Sequence, residues 1–239
     1  MRNTSLSKNT TATVWASIIV FAVGVMFVRH EATAGQAPVS LGAAAKFAIL
    51  AATTVSSSGP TAINGHLGVS PGTTATGSLK VSGMIHAGGK TSAQAQDDLT
   101  GAYNDLAGRT VGALTVGGNL GGLTLTPGLY KSTASLEISS GDLTLDAGGD
   151  TNAIFIFQMP STFITTSGRQ VILRGGARTA NIYWQVGSSA TLGPSSVFKG
   201  NILALSSITV QNAATVDGRL LARTAAVTLD TDTITPPAP

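Results

Sequence analysis

The 239-residue chain contains no cysteine. No disulfide can hold it together, so its stability must come from a core and from strand ladders, for which about two hundred residues suffice. Charge is scarce as well, at 10% of residues with both signs scattered, which excludes a steering field of the kind that recruits nucleic acid. No apolar run reaches the ~20 residues of a membrane-spanning helix. The longest, Val14–Val28, has 15 residues, about 22 Å as a helix against a ~30 Å hydrocarbon core. Beyond the first 34 residues the only histidines are His66 and His86, and they lack metal-ligand spacing.

The Val14–Val28 run follows Arg2 and Lys8 and precedes Ala32-Thr33-Ala34. That order predicts a secretory signal peptide over residues 1–34 and one mature, secreted domain over 35–239, with no membrane association in the mature form; the alternative is a leader retained as an anchor, which its short apolar run disfavours. The leader holds three of the 14 basic residues (Arg2, Lys8, Arg29) and one of the 11 acidic ones (Glu31). The remainder therefore stands at 11 to 10, and the basic balance of the whole chain carries no functional message.

What is abundant is glycine, serine, threonine and alanine, with short β-branched triplets between them. Two segments, SSATLGPSSVFKGNILAL (188–205) and SSITVQNAATVDGRLLAR (206–223), are copies of one 18-residue unit. Thr191 falls on Thr209, Gly200 on Gly218, Ile202 on Leu220 and Ala204 on Ala222; a third, altered copy starts at Thr224. A unit this short cannot close its own core and must stack on its neighbours. Three short strands and their corners make one coil of a three-sided β-helix.

One stretch is helical instead. Leu99, Ala102, Tyr103 and Leu106 recur at i, i+3, i+4 and i+7, after a capping-box pattern in which Thr91 caps and Gln94 reaches back. A single amphipathic helix is predicted over about 91–107, ending at Gly108.

The strands are of three kinds. Continuously apolar ones (Ile49–Ala51, Ile154–Phe157, Ile182–Trp184, Ile202–Leu205, Leu220–Ala222) are buried on both faces, with the helix as the outer cover and Trp184 in the core. Mixed, charged ones (Ser196–Lys199, Thr215–Asp217) face water. A third kind sets an apolar residue inward between short or hydroxylated neighbours. It comprises Thr54-Val55-Ser56, Gly122-Leu123-Thr124, Asp142-Leu143-Thr144, Thr162-Phe163-Ile164, Ser189-Ala190-Thr191, Ser207-Ile208-Thr209 and Ala226-Val227-Thr228, with Met84-Ile85-His86 as an eighth member. Period two points the flanking residues outward. The expected fold is an all-β solenoid with one helix packed along one side.

The candidate binding residues follow as Thr54, Ser56, Thr124, Thr144, Thr162, Ser189, Thr191, Ser207, Thr209 and Thr228. Cross-strand Thr pairs also stabilise ordinary sheets. An ordinary solvated face, however, mixes long charged side chains among its threonines, and here the same short side chain repeats. Such an array is periodic at the ~4.8 Å strand separation and at the ~6.7 Å two-residue repeat. Its methyl groups disfavour disordered hydration while its hydroxyls anchor water at fixed points. The crystalline ligand that it suits is ice. Ser58, Thr61, Thr73, Thr76, Thr215 and Thr233 form a second tier at corners or on the next side, and Asp142, Ile164 and Met84 or His86 interrupt the pattern.

Other chemistries find less support. Asp146, Asp150, Asp217, Asp230 and Asp232 are spread over several corners rather than clustered for acid–base work. Asp146–Asn152 reads as a turn rather than a calcium loop. Gly117–Gly122 lacks the lysine and helix of a phosphate cradle. Catalytic residues, metal, cofactor, nucleic acid and small-molecule substrate are thus not expected. The alternatives are a polysaccharide-active β-helix enzyme and a surface adhesin.

Several segments in order, LGAAAKFAILAATTVSSSGPT (41–61), INGHLGVSPGT (63–73), DDLTGAYNDLAGRT (97–110), LGGLTLTPGLYK (120–131), LTLDAGGDTNAIFIFQ (143–158) and most of 181–230, resemble the secreted microbial ice-binding (antifreeze) proteins. That resemblance implies a right-handed β-solenoid with a long helix alongside, an ice crystal surface as partner, and inhibition of ice growth and recrystallisation; a monomer is expected separately, the sequence itself setting no oligomeric state. It also implies an ice-binding face with a T-A/G-x-T type pattern, loosely matched by Ser206–Thr209, Ser188–Thr191 and Ala225–Thr228.

Overall fold

The computed structural model describes residues 35–237; the predicted signal peptide lies outside them. These residues form parallel strands wound into a three-sided solenoid, with the helix Lys90–Gly108 laid along one side. The 18-residue copies stack as the sequence implies: Thr191 pairs with Thr209, Gly200 with Gly218, Ile202 with Leu220 and Ala204 with Ala222.

The spatial order of coils is not the sequence order. On the helix-covered side the chain begins mid-sheet with Phe47–Ala51, then moves outward through His66–Val69 to Ile85–Ala87. The helix, 19 residues or ~28 Å long, returns the chain along the sheet towards its opposite end, where Ala113–Thr115 begins. Later coils build back through Gly128–Lys131, Phe155–Met159, Ile182–Val186 and Val197–Ala204 until Thr215–Ala222 pairs with Phe47–Ala51. The first coil is thus closed on both edges by strands from opposite ends of the domain.

Burial explains the two apolar layers. Inside the prism, Trp184 stacks on Phe157 at 4.0 Å and meets Phe163 at 4.7 Å and Phe198 at 5.3 Å, with Tyr130 on the far side of Phe157. Outside, Leu99, Tyr103 and Leu106 of the helix cover Leu50, Ile156, Leu203 and Leu221. Continuous apolar strands are what a sheet covered on both faces requires.

The helix start differs from its expected cap. It begins at Lys90 behind Gly89, whose φ of 86° no side chain favours, and no side chain caps it. Gln94 instead donates to Asp98 Oδ1 at 2.9 Å, and Asp98 Oδ2 accepts the Ala43 N–H at 2.6 Å, which ties the first coil to the helix. At the other end Gln158 Nε2 donates to the carbonyls of Leu106 and Arg109, satisfying helix-terminal acceptors.

One corner is set by the stack rather than by local preference. Ser195, Ala213 and Thr231, eighteen residues apart, all hold positive φ (56°, 60° and 61°), where the earlier coils carry Gly141 and Gly168. The ladder enforces it: Ser195 N–H donates to Asn212 O and Ala213 N–H to Asp230 O. Asp232 turns inward just beyond this corner, only 2% exposed, with Ala214 N–H donating to Oδ1 and Asp230 N–H to Oδ2. Burial outweighs these two bonds and raises its carboxyl from the usual 3.8 to about 6. The unfolded chain therefore ionises first, so stability is fully present below pH ~4 and falls as pH rises through ~6, by at most about 3 kcal/mol. Urea midpoints measured between pH 4 and 7 should show this step, and Asp232→Asn should flatten it; an unchanged step in that variant would assign it elsewhere.

Candidate functional site

The side next to the helix-covered one is a parallel ladder of seven strands, extended beyond Glu137 by a single bridge to Asn119. In spatial order its strands contain Leu136, Phe163, Ala190, Ile208, Val227, Val55 and Ala75 as inward residues, six of them fully buried and Ala75 partly so. Alternation then fixes two outward rows. The first is Glu137, Ile164, Thr191, Thr209, Thr228, Ser56 and Thr76. The second, one step earlier on each strand, is Ser135, Thr162, Ser189, Ser207, Ala226, Thr54 and Thr74. The rows lie ~6.7 Å apart and their members ~4.8 Å apart.

The two rows differ chemically. In the second, two neighbouring pairs of hydroxyls are bonded to each other, Ser135 with Thr162 at 2.9 Å and Ser207 donating to Ser189 at 3.0 Å, while Ala226 offers none and Thr54 and Thr74 make no side-chain bond to any described residue. In the first, the hydroxyls of Thr191, Thr209, Thr228, Ser56 and Thr76 make no hydrogen bond to any described residue. They are half-buried or exposed, and their donors and acceptors are left for solvent. No charged residue stands in either row over these five rungs. The helix leaves this side open, since its apolar face covers Leu50, Ile156, Leu203 and Leu221.

Eight of the ten residues expected from sequence share this surface: Thr54, Ser56, Thr162, Ser189, Thr191, Ser207, Thr209 and Thr228. Thr124 and Thr144 do not. They pair with each other, and Thr144 with Ile172, in a separate three-stranded sheet. That sheet continues through the Gln170–Val197 bridge into the side carrying Lys199 and Asp217. Leu123, expected to point inward, is 40% exposed. The reason is coil length. Partners 27 residues apart (Leu136 with Phe163, Phe155 with Ile182) replace the 18-residue offset of the later copies. The longer coil fits in an additional strand, so the Leu143 triplet moves one side round and Ser135-Leu136-Glu137 takes its place. Met84-Ile85-His86 belongs to the helix-covered sheet, where Ile85 pairs with Leu67.

Two members escaped the sequence reading. Thr74-Ala75-Thr76 carries the same hydroxyl–alanine–hydroxyl pattern as Ser189-Ala190-Thr191 but lies outside the 18-residue copies that made the latter legible; Thr76 was expected in the second tier. Ser135-Leu136-Glu137 ends in a charge. In that tier Thr61 is fully buried, bonded to Ser57 Oγ at 2.8 Å and accepting Asp232 N–H at 3.1 Å. Thr215 and Thr233 pair on the mixed side.

Elsewhere, Asp146 Oδ1 accepts Gly148 N–H and Asp150 Oδ1 accepts Asn152 N–H, so this loop is two side-chain-closed turns. Met84 N–H donates to His66 Nδ1 at 2.9 Å, and His66 packs on Phe47 and His86. Trp184 is fully buried and donates Nε1–H to Lys199 O, a core residue rather than a sugar platform.

A parallel solenoid with one covering helix and an uncovered hydroxyl-lined side defines a class of surface-binding scaffold rather than a pocket-based one. Residues 49–235 match the family described as Ice-binding-like, and the chain belongs to it. It is similar to an ice-binding protein of Nostoc sp. (strain HG1), 44% identical over 220 residues covering 90% of this chain and 81% of that protein. Another from Flavobacterium frigoris (strain PS1) is 41% identical, covering 83% and 76%. A crystal structure of an ice-binding protein from an Antarctic biological consortium superposes with a TM-score of 0.85 at 50% identity, over 86% of this chain and 94% of that one.

Proposed function

We propose that this chain is a secreted, monomeric, non-enzymatic protein that adsorbs to ice through the open hydroxyl side. The observation that carries the reading is the run of five rungs, Thr191, Thr209, Thr228, Ser56 and Thr76, whose hydroxyls have no protein partner among the described residues while their backbone is fixed in register. Regularly spaced hydroxyls hold waters in place; intervening methyl groups leave those waters few alternative arrangements. Ordered interfacial water costs little more than a direct contact when its partners are rigid, and a rigid surface loses little entropy on adsorption. Molecules bound at intervals force the growing ice front to bulge between them, and the curved front adds water less readily.

The family and its named relatives support ice as the partner, and their names describe binding rather than catalysis. On this reading residues 1–34 are a leader removed during export. The test is direct: residues 35–239 should partition into a slowly growing polycrystalline ice hemisphere and facet single crystals in an osmometer. Crystals that stay round, with the protein left in the liquid, would overturn the assignment.

A further inference from the structure

The ladder changes composition partway along while its backbone does not. At the rungs of Glu137 and Ile164 the strands stay paired in register with their neighbours. The inward residues, Leu136 and Phe163, are fully buried, as Ala190 and Ile208 are beyond them. The second row continues unbroken: Ser135 and Thr162 are hydrogen-bonded at 2.9 Å, as Ser189 and Ser207 are at 3.0 Å. Only the first-row side chains depart. Ile164 is 39% exposed, one of few large apolar side chains so placed among the described residues. Glu137 holds a carboxylate, which Ser139 Oγ reaches at 2.8 Å.

We propose that Glu137 and Ile164 set the boundary of the recognition surface, and that the two rungs beneath them are otherwise fit to bind ice. This rests on the ice-binding reading above. Isoleucine differs from threonine at this position by an ethyl group in place of the hydroxyl. It keeps the methyl and the β-branched shape, but it stands taller than its row and offers water no anchor. The carboxylate does the reverse: it binds water strongly, in its own geometry rather than that of the row. Together they shorten the first row from seven usable rungs to five, or from ~29 Å to ~19 Å at the strand spacing. The boundary is therefore a matter of two side chains rather than of where the ladder ends.

Threonine suits exposed strand positions, so the exchange should leave the fold intact. The experiment compares thermal hysteresis, at equal molar concentration, of the native chain, Glu137→Thr/Ile164→Thr, Glu137→Thr/Ile164→Val and Thr209→Tyr, each with its unfolding midpoint. The double threonine variant should gain at least ~1.4-fold, the ratio of seven rungs to five. The valine version should gain less, because it shortens the side chain without adding a hydroxyl. No gain from the double threonine variant while Thr209→Tyr loses activity overturns the boundary and leaves the ice-binding surface standing. Equal gain from valine would support the boundary too, and would assign it at Ile164 to the bulk of the side chain rather than to the missing hydroxyl. Retained activity in Thr209→Tyr would instead overturn the surface itself.

Discussion

Thr209→Tyr should lower thermal hysteresis roughly tenfold, the consequence of losing about 1.4 kcal/mol of adsorption free energy, while Thr144→Tyr leaves it within experimental error. Thr209 lies in the middle of the open side, paired with Thr191 on one edge and Thr228 on the other. A phenol ring at that point stands above the row. It holds the whole surface away from ice, so the neighbouring rungs, only ~4.8 Å off on either side, lose their shared waters too. A rigid array cannot bend around the obstruction, and the loss exceeds that of a single hydroxyl. Thr144 offers the matched control. It too is a half-buried strand threonine beside another threonine, Thr124, but it sits on the sheet that runs on to Lys199 and Asp217. Lys199→Tyr on that same side should be equally silent. Circular dichroism should be unchanged in all three. Loss of activity from Thr144→Tyr with retention in Thr209→Tyr would move the binding surface to the other side.

The repeat at 188–223 made the stacking legible, because identical offsets in sequence became strand partners directly. The helix was legible from its apolar spacing, although its capping box was not used: Gln94 turns to Asp98, and a glycine makes the bend. The misplacement of Thr124 and Thr144 came from a quantity that local pattern does not carry. A triplet such as Asp142-Leu143-Thr144 reads the same on any side of the prism; which side it joins depends on how many residues its coil spends on corners. Where coils keep eighteen residues, pattern and position agree, and where they lengthen to twenty-seven they part. The order of coils was likewise hidden. Nothing in the Phe47–Ala51 strand says that its partner on one edge will be Leu220 and Leu221; that follows from the helix carrying the chain back along the stack. As a result, Ser56 and Thr76, from the first coils, extend a row begun by Thr191, Thr209 and Thr228, from the last. The open side is complete only when the two ends of the domain have closed on each other.

Trp184→Ala should have the largest effect on stability, about 3–5 kcal/mol, seen as a fall of roughly 6–20 °C in the unfolding midpoint of a domain this size. Trp184 is fully buried and touches three other aromatic rings, from Phe157, Phe163 and Phe198. Those rings come from all three sides of the prism: Phe157 from the helix-covered sheet, Phe163 from beneath the hydroxyl rows and Phe198 from the mixed side. Truncation would open a cavity that none of them can fill alone, and it would leave the Lys199 carbonyl without the indole N–H it now accepts. Because each coil of a solenoid rests on its neighbours, the damage should not stay local. Phe163 would lose its inner support, and the rung of Thr162 above it, with the adjoining rung of Thr191, would no longer lie level with those of Thr209 and Thr228. Thermal hysteresis should therefore fall even at 0 °C, far below the lowered midpoint, although no residue of the open side has been changed. Trp184→Phe, which keeps an apolar ring in the stack, should recover most of the activity and part of the stability. If Trp184→Ala instead left activity intact, the surface would owe its flatness to the backbone ladder alone and not to the aromatic packing beneath it.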